Sequence, residues 1–240
     1  MNETVISPDQ WVLATWGPFR LSATILFTWL VVAAMTVAAR LASRRLVADA
    51  RPPRWQSGLE LVFEAMRRQI RDIAQSDVER YVPFVGTLFL FIAVSNVLTV
   101  VPGFSAPTAS LSTTAALALL VFFAVPAYGI ADRGLVAYLR RYLRPTPLML
   151  PFNILGELTR TLALAVRLFG NVMSGAKIVA ILLAVAPLVF PVALQLLGLL
   201  TGLVQAYIFA VLAMVYIAAA SRPLALAANG GPRKERSRHE

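Results

Sequence analysis

The sequence predicts an all-α polytopic membrane protein with about five transmembrane helices and one interfacial amphipathic helix, the last two transmembrane helices forming a long tilted hairpin. Three observations predict it. The 240 residues are 58% hydrophobic and only 14% charged, with a mean hydropathy of +0.72, whereas charged residues make up about 25% of an ordinary soluble domain. Apolar runs of about 20 residues, each enough for one helical crossing, recur along the chain and stop at proline, glycine or arginine. Most basic residues crowd into alternate loops.

The first crossing is expected at 21–39, ahead of Arg40, Arg44 and Arg45, with Trp11, Trp16 and Trp29 in its interfacial flank or body. The residues before it carry no basic stretch and no small-residue cleavage pattern, so no removable leader is expected. Pro52-Pro53 then breaks the chain. Over 55–75 the apolar residues Trp55, Leu59, Val62, Phe63, Met66, Ile70 and Ile73 recur on one helical face, while Glu60, Glu64, Arg67, Arg68, Arg71 and Asp72 take the other. Such a helix lies on the membrane surface or packs on a partner, and both readings keep it on the arginine-rich side.

Two further crossings are expected at 82–101, stopped by Pro102-Gly103, and at 112–130, followed by a basic loop at 132–144. The stretches 148–186 and 188–221 exceed what an upright crossing needs, which implies strong tilt, and Pro187 and Pro191 mark the turn between them. A basic tail occupies 222–240. The whole chain, 1–240, reads as a single membrane domain. Basic segments at 40–80, 132–144 and 222–240 alternate with nearly neutral ones at 1–20, 102–111 and 186–191. Positive-inside bias then places the C-terminus in the cytoplasm and the N-terminus outside.

The net charge of +10 is thus a matter of topology, and no basic surface interleaved with aromatics suggests nucleic acid. The absence of cysteine excludes disulfides, thiolate metal sites and cysteine nucleophiles. No phosphate-cradling glycine loop, metal-ligand spacing or nucleophile–base pair is present, so the chain is expected to be non-catalytic and to hold no cofactor or metal.

Arg167 is the residue that asks for an explanation. It lies about 19 residues from either end of its apolar stretch, about 28 Å along an upright helix, too far for its side chain to snorkel to water. Guanidinium stays protonated there, and hydrocarbon solvates it badly. Arg160, Leu164, Arg167, Asn171 and Ser174 recur at helical spacing, so the polar members share a face that must look at protein or water. Glu157 is three residues before Arg160 and can pair with it. Lys177 lies about 15 Å beyond Arg167, toward the neutral side. On the last helix Gln195, Gly198, Gly202 and Gln205 share a face, and Gly198 with Gly202 makes a small-residue spacing that lets backbones approach closely. Gln205 could bond across to the Arg167 helix. Ser95, Asn96, Thr99 and Tyr128 read as packing and capping groups.

The run Glu157-Leu-Thr-Arg-Thr-Leu-Ala-Leu-Ala-Val-Arg-Leu-Phe-Gly-Asn171 with Gly175, the run Gln205-Ala-Tyr-Ile-Phe209 before Tyr216, and Asn96 leading to Pro102-Gly103 and Pro107–Thr114 resemble subunit a of the rotary F-type ATP synthase. The resemblance covers residues 55–221. It implies a stator in the membrane sector, lying against a ring of c subunits and near the b subunits of the peripheral stalk, in the lipid bilayer of a bacterial plasma membrane. It implies two half-channels for H+ or Na+, with Arg167 as the essential arginine, Asn171 lining the ion path and Gln205 facing the arginine. Glu157, Arg160, Ser174, Lys177 and Gln195 are candidates for further lining.

Three positions depart from the family pattern. An acid or histidine often follows the glycine matching Gly175, where this chain has Ala176; a histidine or acid often stands at Gly198; and an acid commonly stands at Asn153. These departures leave the outer access path unassigned and both H+ and Na+ open. A self-contained secondary transporter, with Arg167 binding an anion, is the rival reading, but no internal repeat supports it.

Overall fold

The computed structural model describes residues 12–16, 19–44, 54–74, 78–101, 104–142, 148–185 and 190–221. Expectations on Trp11, Pro52-Pro53, Pro102-Gly103, Pro187 and the tail at 222–240 lie outside these residues. Two short strands, β1 (Val12–Trp16) and β2 (Phe19–Ser22), pair antiparallel and lead into α1 (Ala23–Arg44). Then come α2 (Arg54–Ala74), α3 (Val78–Val97), α4 (Leu111–Arg133), α5 (Leu135–Tyr142), α6 (Met149–Val185) and α7 (Phe190–Ser221). A short 3-10 turn at Pro107–Ala109 packs among α1, α3, α4 and α6.

The fold is all-α and polytopic as the hydropathy predicts: five helices, α1, α3, α4, α6 and α7, are long and apolar enough to cross a membrane. The 37 residues of α6 extend for about 55 Å at 1.5 Å per residue, against a hydrocarbon core of about 30 Å. Such a helix fits only if it leans.

In lipid there is little hydrophobic drive between helices, so close packing rests on small residues and polar links. The inner face of α7 follows that rule. Gly202, Ala206, Ala210, Ala213, Ile217 and Ala220 recur every three or four positions and are buried, letting α3, α4 and α6 pack around this one helix. By contrast α6 buries only a narrow inner stripe about Leu164, Ala165 and Leu168. Most of its remaining surface is open.

The amphipathic α2 seats Ile70, with Met66 and Ile73 beside it, against α3 and α7, and exposes its charged face. Arg67 ties it to Glu79 of α3 at 2.9 Å. On its outer face the Glu64–Arg68 pair, one helical turn apart at 2.6 Å, holds the Glu64 carboxyl below the usual carboxylate range through its hydrogen bond and charge.

At the arginine-rich end Asp132 of α4 binds Arg80 of α3 and accepts a hydrogen bond from the Tyr81 hydroxyl at 2.8 Å. The Arg80 guanidinium also lies over the Tyr128 ring, 5.9 Å from its centroid, so Tyr128 helps to lock α3 to α4. Gly134, at φ 81°, then turns the chain sharply into α5. This eight-residue helix lies in the segment expected as a basic loop. Its buried residue Tyr138 reaches back to Gly129 of α4.

A β-carbon at Gly129 would stand 2.7 Å from Cε2 of Tyr138 and 3.3 Å from the β-carbon of Ala220. Both neighbours are buried, so neither yields freely. Gly129→Ala is therefore expected to destabilise the fold by about 1–3 kcal/mol, the usual cost of overpacking. A melting temperature in detergent lowered by several degrees checks it; an unchanged one contradicts the packing described.

Candidate functional site

The α7 backbone accepts polar links from both sides. Carbonyl oxygens in a helix keep a second lone pair after their helical bond, and side-chain amides of neighbouring helices can use it. Gln195 Nε2 donates to the carbonyl of Thr99, in the 3-10 turn Leu98–Val100 that follows α3, at 3.1 Å. About two turns further along α7, Asn96 Nδ2 of α3 donates to the Gly202 carbonyl at 3.4 Å and to its own Ile92 carbonyl at 2.8 Å. At the same level Asn171 Nδ2 of α6 donates to the Thr201 carbonyl at 3.2 Å. Three helices are thus laced together by amides at one depth.

Gly202 makes that level possible, because a β-carbon there would fall 2.8 Å from the Asn96 side chain. Gly198 faces open space instead, so the two glycines do not form one packing seam. Asn96 and Thr99, read from sequence as packing and capping groups, belong to the lacing. The sequence carries no signal for this, because the acceptor of each link is a backbone carbonyl, that of Gly202 for Asn96 and that of Thr99 itself for Gln195.

About one turn beyond the laced level lies Gln205, buried at 7% exposure with no hydrogen-bond partner for its Nε2 atom. The amide bridge from α6 to α7 is therefore made by Asn171 and not by Gln205. Ser95 Oγ and Thr108 Oγ1 are likewise buried without partners.

Arg167 stands on α6 one turn from Asn171. Leu164 and Leu168 on either side are buried at 2% and 0% exposure, which turns the intervening Arg167 outward, and its side chain is exposed. Among the described residues it has no hydrogen bond, ion pair or ring contact. Ser174 is also exposed and bonds only its own helix, at the Asn171 carbonyl. Lys177 and Ala176 are exposed further toward the neutral end. Added β-carbons at Gly170 and Gly175 would meet nothing within 4 Å.

On the arginine-rich side a cleft of about 350 Å³ opens between α4, α6 and α7, with Asn153, Glu157, Arg160, Thr161 and Tyr216 among its walls. Glu157 is half-buried. The Arg160 guanidinium lies over the Tyr216 ring, 5.7 Å from its centroid, rather than on the Glu157 carboxylate three residues before it. The polar groups are thus disposed in three sets: amides on the neutral half, an open guanidinium near the middle, and a polar cleft on the basic half. Among the described residues no three His, Cys, Asp or Glu side chains gather as metal ligands.

Comparison with known proteins finds the family model described as "ATP synthase A chain" matching residues 25–218. The chain is 57% identical over 217 residues to ATP synthase subunit a 2 of Acaryochloris marina, covering 90% of this chain and 93% of that protein. It is 58% identical over 217 residues to ATP synthase subunit a 1 of Chlorobaculum parvum, covering 90% and 96%. With ATP synthase subunit a of Albidiferax ferrireducens the identity is 53% over 217 residues, covering 90% and 94%.

A buried amide without a partner costs about 1–3 kcal/mol. Gln205→Leu, of similar size, is therefore expected to leave the melting temperature of the protein unchanged or to raise it. A fall of several degrees would mean that the amide makes a stabilising bond.

Proposed function

Because this chain belongs to the ATP synthase A chain family, we propose that it is the stator of the membrane sector, passing H+ or Na+ between two half-channels as a ring of c subunits turns against α6 and α7. The observation that carries the reading is Arg167, an exposed guanidinium near the middle of a spanning helix with no partner among the described residues. A permanent cation facing acyl chains would be costly, so the face that bears it is completed by another body. The open glycines 170 and 175 beside it support close approach of a second helix.

The mechanism follows from electrostatics. A rotor carboxylate crosses lipid cheaply only when neutral, carrying a proton or Na+. In front of Arg167 the anion is favoured and the cation leaves. The two half-channels are offset, so each ion travels nearly a full turn of the ring between them. The fixed positive charge of Arg167 repels a cation that would leak directly from one to the other.

The amide level at Asn96 and Asn171, with Gln195 about two turns further toward the neutral end and Gln205 on the Arg167 side, forms the neutral-side approach to Arg167. The cleft holding Asn153 and Glu157 forms the approach from the arginine-rich side. Ser174 and Lys177 flank the neutral-side opening. One charge falling through 100 mV releases only about 2.3 kcal/mol, so several crossings are summed by the rotor before ATP is made. The chain itself performs no catalysis and needs no cofactor. It resides in a bacterial plasma membrane, N-terminus outside and C-terminus in the cytoplasm, with the b subunits of the stalk holding it against rotation.

ATP-driven ion uptake by inverted membrane vesicles tests the assignment. Arg167→Lys is expected to abolish it although the charge is kept, because a compact ammonium lacks the planar fork that spans successive carboxylates. Wild-type uptake in that variant overturns the assignment. Gln205→Leu is expected to weaken uptake less than Arg167→Lys does; equal loss would contradict the division of roles.

A further inference from the structure

Arg160 and Arg167 are seven residues apart, which returns α6 to nearly the same face about 10.5 Å along its axis. Both are exposed. If a rotor carboxylate discharges its ion opposite Arg167, a second mobile guanidinium two turns away offers it a rival partner outside the path. The chain holds the two arginines differently. Arg167 has no partner among the described residues, whereas Arg160 is laid over the Tyr216 ring at the wall of the cleft between α4, α6 and α7.

The ring face attracts a cation through its quadrupole, and a planar guanidinium stacks on it well. Tyr216 is suited to the task because its backbone is fixed: Ala213, Ile217 and Ala220 around it on α7 are buried. Across the cleft, Val121, Phe122 and Val125 of α4 supply an apolar wall, so the acceptor side chains of the cleft, Asn153, Glu157 and Thr161, stand on α6 itself.

We propose that Tyr216 is a positioning residue for ion translocation: its ring draws Arg160 into the cleft and off the surface that meets the rotor, leaving Arg167 as the one guanidinium of α6 that a passing carboxylate engages. The inference rests on the reading of Arg167 given above. Without the ring, Arg160 swings out, traps the carboxylate of an occasional c subunit and lets the ring slip without moving an ion.

The test is the number of ions pumped per ATP hydrolysed by the whole complex in inverted membrane vesicles, followed with a pH-sensitive dye and with radioactive Na+. Tyr216→Leu is expected to lower that ratio about two- to fivefold, the population released by losing an exposed cation–π contact. Tyr216→Phe keeps the ring and is expected to keep the ratio. Adding Arg160→Gln to Tyr216→Leu removes the rival cation and is expected to recover most of the loss, which a merely structural role for Tyr216 would not allow. If Tyr216→Leu does not assemble, Tyr216→Met fills the half-buried space without a ring and gives the same contrast. A normal ratio without the ring, a Phe variant as impaired as Leu, or no recovery with Arg160→Gln overturns the proposal. Those outcomes beside an inactive Arg167→Lys leave the stator reading standing; full pumping by Arg167→Lys removes both.

Discussion

An unneutralisable charge near the middle of a spanning helix is the constraint on which this structure turns. Guanidinium cannot shed its proton to escape hydrocarbon, and water is too far along an upright helix for the side chain to reach. Most membrane cations of this kind are settled inside the protein by a carboxylate or a ring of carbonyls. Arg167 is settled by neither among the described residues. The buried leucines on either side aim it outward, so the chain presents the charge instead of absorbing it. A family whose relatives are named as subunits of ATP synthase is a natural setting for a surface that is incomplete by itself.

The rest of the fold keeps that surface in place. α7 is the spine: small residues along its inner face admit three neighbours, and two successive carbonyls, of Thr201 and Gly202, accept amides from α6 and α3. A lateral link of this kind costs no helical hydrogen bond, because each carbonyl has a lone pair to spare. At the basic end the Asp132 cluster joins α3 to α4 and α5 folds back over Gly129, so the frame behind the hairpin is braced at both depths. The hairpin is then free to expose one long side. That α6 buries so little of itself is the counterpart of the charge it carries.

Properties that belong to single residues or single helices were legible in the sequence. Apolar length, the alternation of basic loops, the amphipathic face of α2 and the depth of Arg167 all follow from counting along the chain. Pairings between helices were not. Arg160 has a carboxylate three residues away and packs instead on Tyr216, from a different helix. Gln205 has an amide able to bond across to α6, but the bond between the two helices is made by Asn171, onto a backbone carbonyl that no side-chain pattern reveals. Gly198 and Gly202 have the spacing of one seam but meet different surroundings. The hairpin at 12–22 and the helix α5 escaped for a simpler reason: both sit in segments read for their charges and anchors, and in α5 it is the buried Tyr138 that docks the helix.

The chain contains no cysteine, so a single introduced thiol reports on one place only. A cysteine replacing Gly170, beside Arg167 on the open face of α6, can form a disulfide only with a partner whose β-carbon comes within about 4.5 Å. In the intact complex, paired with a cysteine next to the carboxylate on the c subunit, Gly170→Cys is predicted to form that disulfide and to stop ATP-driven transport until it is reduced. Exclusive labelling of the same thiol by a reactive phospholipid, with no link to the ring, would show that the arginine faces lipid and would contradict the account.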